Sequence, residues 1–170
     1  DTPYGVPPVA RQVIEHTFET NDSRVLGAFK INEHIQFVGN TMNFTTNSAS
    51  FYHGKINNIY NNPVINGHII TDTLDLAYPN LSYSGKYNGD QEAIISFLHS
   101  GPNTYSGTSC MFYDRFLGYS KRQIIKEGSY LVNVIGGPYE RWGDYTGSQR
   151  KYNEPGVVWF TGTYGYKKES

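Results

Sequence analysis

Arg141-Trp142-Gly143-Asp144-Tyr145-Thr146-Gly147, followed by Gly156-Val157-Val158-Trp159-Phe160-Thr161-Gly162-Thr163-Tyr164-Gly165, decides how the rest of the 170-residue chain is read. The first run crowds large aromatics, a fixed cation, a carboxylate and glycines into a few positions. That composition predicts an irregular polar turn whose backbone folds tightly around charged side chains. The second run is β-branched and aromatic, as in a strand packed on both faces.

Earlier segments carry a paler copy of the arrangement. Tyr83-Ser84-Gly85 matches Tyr145-Thr146-Gly147, 62 positions on (83 to 145). The strand signal occurs three times, as Ile35-Gln36-Phe37-Val38, Ile95-Ser96-Phe97-Leu98 and Val158-Trp159-Phe160-Thr161. Its phenylalanines are 60 (37 to 97) and 63 (97 to 160) positions apart. Ser48-Ala49-Ser50-Phe51-Tyr52 aligns with Thr108-Ser109-Cys110-Met111-Phe112-Tyr113, and Ile69-Ile70 with Ile124-Ile125. A unit of about sixty residues built from several short strands predicts an all-β chain of β-propeller blades, two to three four-stranded antiparallel sheets with long loops. Residues 35–40, 94–99 and 157–162 would be equivalent strands. A β-sandwich of two similar halves packed face to face is the alternative.

Bulk composition narrows the function classes. A formal charge of −1 gives no electrostatic reason to expect nucleic acid or an anionic membrane as partner. Only 17% of residues are charged and 15% are aromatic, so the polar surface must be largely Asn, Ser, Thr, Gly and Tyr, as on extracellular and sugar-contacting β-proteins. No stretch is long and apolar enough to span a bilayer, and Asp1-Thr2-Pro3-Tyr4-Gly5-Val6-Pro7-Pro8 does not read as a signal peptide. The single Cys110 excludes an internal disulfide and reads as a buried, inert thiol on a strand. Asn-X-Ser/Thr sequons begin at Asn21, Asn43 and Asn80.

Taken in order, residues 1–20 read as an extended, proline-led linker or strap and residues 21–170 as the blades. Residues 11–20 fit either a short helix or an alternating strand. The polar turn Thr20-Asn21-Asp22-Ser23-Arg24 fills, one unit earlier, the slot of the Arg141 loop. Val25 to Lys30 and Ile35 to Val38 flank Asn32-Glu33-His34 as a hairpin. The second unit takes in Gln123-Ile124-Ile125-Lys126 and Tyr130-Leu131-Val132-Asn133 before Gly147.

The series Arg141-Trp142-Gly143-Asp144-Tyr145-Thr146-Gly147, Asn153-Glu154-Pro155-Gly156 and Trp159 resembles the innermost-strand signature of secreted β-propeller proteins of the sialidase-like type, many of them bacterial exported or cell-surface proteins. Thr2-Pro3-Tyr4-Gly5-Val6-Pro7-Pro8 and Asn21-Asp22-Ser23-Arg24-Val25-Leu26-Gly27-Ala28-Phe29 are similar to the later half of such chains. The resemblance implies the C-terminal portion of a larger propeller, extracellular or at the cell surface. Its remaining blades would belong to the same protein or to a second chain. It further implies a non-enzymatic binding or scaffold module for a glycan or surface protein, with a sialidase-type glycoside hydrolase as the alternative. The Ser-X-Asp-X-Gly-X-X-Trp turn of true sialidases does not occur here.

Hydrolysis of that type needs an arginine cluster for a carboxylate, a tyrosine nucleophile with an acidic partner, and an acid. Arg24, Arg141 and Arg150 offer cations, Tyr145 or Tyr152 a phenol, and Glu140, Asp144 or Glu154 acids. Arg141, Trp142, Asp144, Tyr145, Arg150, Tyr152 and His99 are accordingly the candidate ligand-binding residues. The competing reading pairs Arg141 with Asp144 to fix the loop while Trp142 packs on a neighbouring strand. Alternation puts His99 on the face of Ile95 and Phe97, where it would either line a central channel or be a bonded structural histidine. No cofactor is expected; a calcium ion on Asp144 and loop carbonyls is the single metal the loop suggests.

Overall fold

The computed structural model describes residues 7–13, 16–87 and 89–167. Among them every regular element is a β-strand, and no helix is long and apolar enough to cross a membrane. The strap forms two short strands, β1 (Ala10–Arg11) and β2 (Thr17–Glu19), so the described part of residues 11–20 contains strand and no helix. An antiparallel meander follows: β3 (Val25–Ile31), β4 (His34–Met42), β5 (Ala49–Asn57) and β6 (Val64–Ile70). Its first turn is the expected hairpin, tightened by Asn32 at φ 50°. A second meander comprises β7 (Asp75–Tyr83), β8 (Ala93–Gly101), β9 (Thr104–Asp114) and β10 (Gly118–Tyr119), with β11 (Gln123–Lys126) also pairing β9. β12 (Tyr139–Arg141) runs parallel to β2, and β13 (Gly147–Arg150) pairs with β14 (Val158–Thr161) as a hairpin.

The two meanders pack face to face. Val38, Phe51 and Ile70 of the first sheet share a core with Leu76, Leu81, Ile95, Phe97 and Met111 of the second, and the rings of Phe51 and Phe97 are 4.9 Å apart. Burying each of these side chains contributes about 1.5–3 kcal/mol. The same pattern shows why β4 and β8 are strands: period-2 alternation gives each one row for the shared core and one for its other face.

The three repeat phenylalanines fall in antiparallel sheets of unequal size, with four, five and two strands, so three equivalent four-stranded sheets are not what forms. Each is on the second strand of its unit, β4, β8 or β14. Phe97 faces the first sheet. Phe160 is cross-strand to Ser148, and Gly162, just past β14, lies close against the Thr108 side chain of β9. Phe37 points away from the second sheet, against Gly54 and Tyr52 on the outer face of the first. The first strands also follow one another, β3 against β7 and β7 against β13.

Other parts of the alignment do not survive. Tyr83 closes β7, whereas Tyr145 precedes β13, so the two Tyr-X-Gly runs occupy opposite ends of corresponding strands. Phe51 and Phe112 share the third strand but not the register: Phe51 is opposite Asn40 at the end of β4, and Phe112 is opposite Ile94 at the start of β8. Residues 130–133 form no strand. The backbone N–H and C=O of Val132 bond the side-chain amide of buried Gln12 at 3.0 and 2.9 Å, so a side chain replaces the ladder partner.

A second core joins Ala10, Phe18, Ala49, Ala77, Tyr78, Leu98 and Trp142, and it anchors the strap on the far face of the second sheet. Side-chain amides of β4 and β7 tie neighbouring segments together. Asn40 donates to the Thr20 carbonyl and accepts from the Tyr78 N–H at 2.8 Å, while Asn80 donates to the Thr146 carbonyl at 3.0 Å. Tyr78 sits at φ 51° where β7 slips register, a left-handed conformation that costs a tyrosine about 1–2 kcal/mol. The Asn40 bond and a hydrogen bond from its hydroxyl to the Glu19 carbonyl hold it there.

Candidate functional site

The loops entering β3 and β13 are built alike. Asn21 and Asp144 each stand 16 residues before the repeat phenylalanine (21 to 37, 144 to 160), and both are left-handed, at φ 61° and 55°. Asn and Asp tolerate that region because their short polar side chains bond locally. In the first loop Arg24 clasps Asp22 through Nε at 2.7 Å and Nη2 at 2.6 Å, which holds the Asp22 carboxyl near pKa 2. In the second, Arg141 donates from Nε to Asp144 at 3.1 Å and from Nη2 to its other oxygen. Gly143, at φ 90° and close against the Thr163 side chain, is where this loop needs a glycine.

Between the two ion pairs stands Tyr145, 68% exposed and within electrostatic reach of Arg24. Burial and the neighbouring Asp144 and Glu19 push the Tyr78 phenol up beneath the same surface. Each guanidinium is engaged by two points to an acid of its own loop, so the patch is nearly neutral and offers an incoming carboxylate no uncommitted arginine fork. Among the described residues no carboxylate or imidazole hydrogen-bonds the Tyr145 hydroxyl, so the patch lacks the nucleophile–base contact of covalent catalysis. What it presents is an accessible aromatic ring framed by polar groups.

The remaining candidates separate from this patch. Trp142 is only 2% exposed: it stacks on Phe18 at 4.7 Å and donates from Nε1 to Ser106, so it is a core residue and no ligand contact. Arg150 and Tyr152 lie at the opposite end of β13. Arg150 covers the Tyr83 ring at 4.8 Å, and Tyr152 is fully exposed in the turn. Arg141 pairs with Asp144 as the packing reading expects, yet its side chain stays 63% exposed. His99 lines no channel. It is buried, its Nδ1 is 2.7 Å from the Ser109 hydroxyl, Arg122 and Asp72 lie within electrostatic reach, and burial lowers its pKa to about 4. Of the acids, Glu140 is buried and accepts from the backbone N–H groups of Val134, Ile135 and Gly136, which hold its pKa down and make it a loop anchor. Glu154 pairs with Lys151. Asn80 spends its side-chain amide inside the fold, so that sequon is unavailable for modification. Cys110 on β9 is half-buried rather than buried as expected, and the desolvation it does undergo raises its pKa, consistent with an unreactive thiol. Among the described residues no cluster of three or more His, Cys, Asp or Glu is arranged to hold a metal ion.

Sequence reasoning missed a polar seam between the sheets. Gln36 Nε2 donates to the Gln91 carbonyl at 2.8 Å, so its Oε1 is the atom that meets His53 Nε2 at 3.0 Å. His53 therefore carries its proton on Nε2, and its Nδ1 accepts from the Tyr119 hydroxyl at 2.8 Å. Burial, with Lys55 and His68 nearby, lowers the His53 pKa to about 3. So weak a base cannot activate Tyr119, and the chain of bonds fixes that ring in place. No signal in the sequence links residues this far apart. No protein-family model, curated protein or solved structure matches this chain.

Proposed function

We propose that the chain is a run of successive blades from a sialidase-like β-propeller, exported or displayed at the cell surface, that acts as a non-enzymatic binding or scaffold module for a glycan or surface protein. The observation that carries this reading is the recurrence of Phe37, Phe97 and Phe160 on the second strands of three successive antiparallel sheets. Face-packed meanders whose first strands follow one another are how blades gather around an axis. The outer face of the first sheet supports the same reading. Phe37, Tyr52, Ile65 and Ile69 line a groove of about 450 Å³ there, floored by Gly54 and Gly67, on the side where the second sheet receives the first. A preceding blade, from the same protein or a second chain, would cover it.

The binding surface is the Asp22–Arg24, Arg141–Asp144 and Tyr145 patch at the entry to the first strands. Committed arginines and a tyrosine without a base favour recognition over hydrolysis. Immobilised glycans and cell-surface extracts are the test. Tyr145→Ala is expected to weaken capture about tenfold or more while leaving the melting temperature unchanged, because an exposed ring contributes little to folding. Unchanged capture by the variant, or release of sugar from an aryl glycoside that depends on Tyr145, would argue against this assignment.

A further inference from the structure

We infer that a groove at the outer end of the polar seam is a binding site for an acidic saccharide, a hydroxyl-rich ligand carrying one carboxylate. The groove, of about 610 Å³, lies between the segment leaving β6 and the one joining β10 to β11. That volume falls within the range of small-molecule sites.

Its walls divide by chemistry. Arg122 donates from Nε to Asp72 at 3.0 Å, with both side chains about four-fifths buried, and its terminal nitrogens make no further bond to the described residues. Lys121 is the next residue, also lines the groove, and has no acidic partner among the described residues. Two adjacent cations against one acid leave a surplus positive charge, and half of a guanidinium fork is open to a carboxylate. Ile70 and Met111 supply an apolar floor for a sugar's C–H face. The hydroxyl of Thr71 and the imidazole of His68 stand around it for polar contacts, while the Thr73 hydroxyl is spent on Asp72.

One wall is preorganised. Tyr119 is held at its hydroxyl by His53 and at its ring by His68, stacked at 5.1 Å and 15°. A wall held in place from behind reduces the ordering cost of binding. The Arg24–Arg141 patch differs in this respect, because each of its cations has its own carboxylate. The groove lies wholly within this chain, so the inference does not depend on a ring or on the function proposed for Tyr145.

The test is calorimetric titration of the full 170-residue chain with D-glucuronate and with D-glucose, alongside amide chemical shifts. Glucuronate is expected to bind saturably and to shift the amides of Thr71, Asp72, Lys121 and Arg122, whereas glucose binds at least tenfold more weakly. Lys121→Gln, which leaves the Arg122–Asp72 pair intact, should weaken glucuronate about tenfold or more, and Arg122→Lys should also weaken it by removing the planar fork. Equal affinity for glucose, shifts confined to residues 22–24 and 141–145, unaltered binding by Lys121→Gln, or no saturation by on the order of 10 mM glucuronate would each overturn the assignment.

Discussion

Trp142→Ala is expected to lower the free energy of unfolding by about 3–5 kcal/mol, the cost of emptying a large aromatic site in a closed core. Trp142 is the largest fully buried side chain, and its losses are specific. The parallel stack on Phe18 and the edge contact with Tyr78 at 6.4 Å disappear, and the Ser106 hydroxyl loses its indole donor. Since Phe18 belongs to β2 and Ser106 to β9, the residue ties the strap to the second sheet, and its removal should loosen residues 7–20 first. Urea denaturation followed by circular dichroism, with hydrogen exchange on β1 and β2, reads both effects. Trp142→Phe keeps a ring on Phe18 and is expected to cost about 1–2 kcal/mol, mainly for the unpaired Ser106 and the lost volume. A Trp142→Ala cost below about 1 kcal/mol would mean that this side chain is not the keystone of the second core.

Acidification is the second large effect. His53 and His99 are buried and neutral, with pKa values lowered to about 3 and about 4 from an unfolded value of 6.5. The unfolded chain therefore binds more protons below pH 6.5, and stability falls as the pH drops. The folded state is favoured fully above pH 6.5 and loses ground until each imidazole titrates in the folded state, near pH 4 for His99 and pH 3 for His53. Each contributes a slope of about 1.4 kcal/mol per pH unit within its window, so moving from pH 7.5 to pH 5.5 should cost about 3 kcal/mol in total. Lys55 and His68 add to the penalty of charging His53; Arg122 adds to that of His99, and Asp72 partly relieves it. His99→Asn should remove roughly half of the pH dependence even if it lowers stability at neutral pH. A flat profile between pH 7.5 and 5.5 would mean that neither ring is sealed from solvent.

The sequence made strands legible where burial imposed alternation on both sides. Phe37, Phe97 and Phe160 each fall on the second strand of an antiparallel sheet, where a large ring recurs with the strand that carries it. The Tyr-X-Gly match misled because Gly85 and Gly147 meet different local needs at opposite ends of their strands, so shared letters carried no shared geometry. Residues 130–133 have a strand's composition, but Gln12, remote in sequence, supplies their partner. At the site, the clasp of Arg141 on Asp144 was legible because the residues are three apart in one loop. The fate of His99 was not, since alternation gives a face but not the partners there, and Ser109, Asp72 and Arg122 reach it from three other segments. The groove was invisible for the same reason: His68 and Tyr119 meet only once the sheets have packed.

The most direct measurement is an experimental structure of the protein as isolated from its source, inspected at the outer face of the first sheet. The account predicts another four-stranded antiparallel sheet over Phe37, Ile65 and Ile69, placed on β3–β6 as those strands are placed on β7–β10, and a closed ring whose axis runs past β3, β7 and β13. A Phe37 face bathed in solvent, or covered by something other than a sheet in that relation, would contradict it.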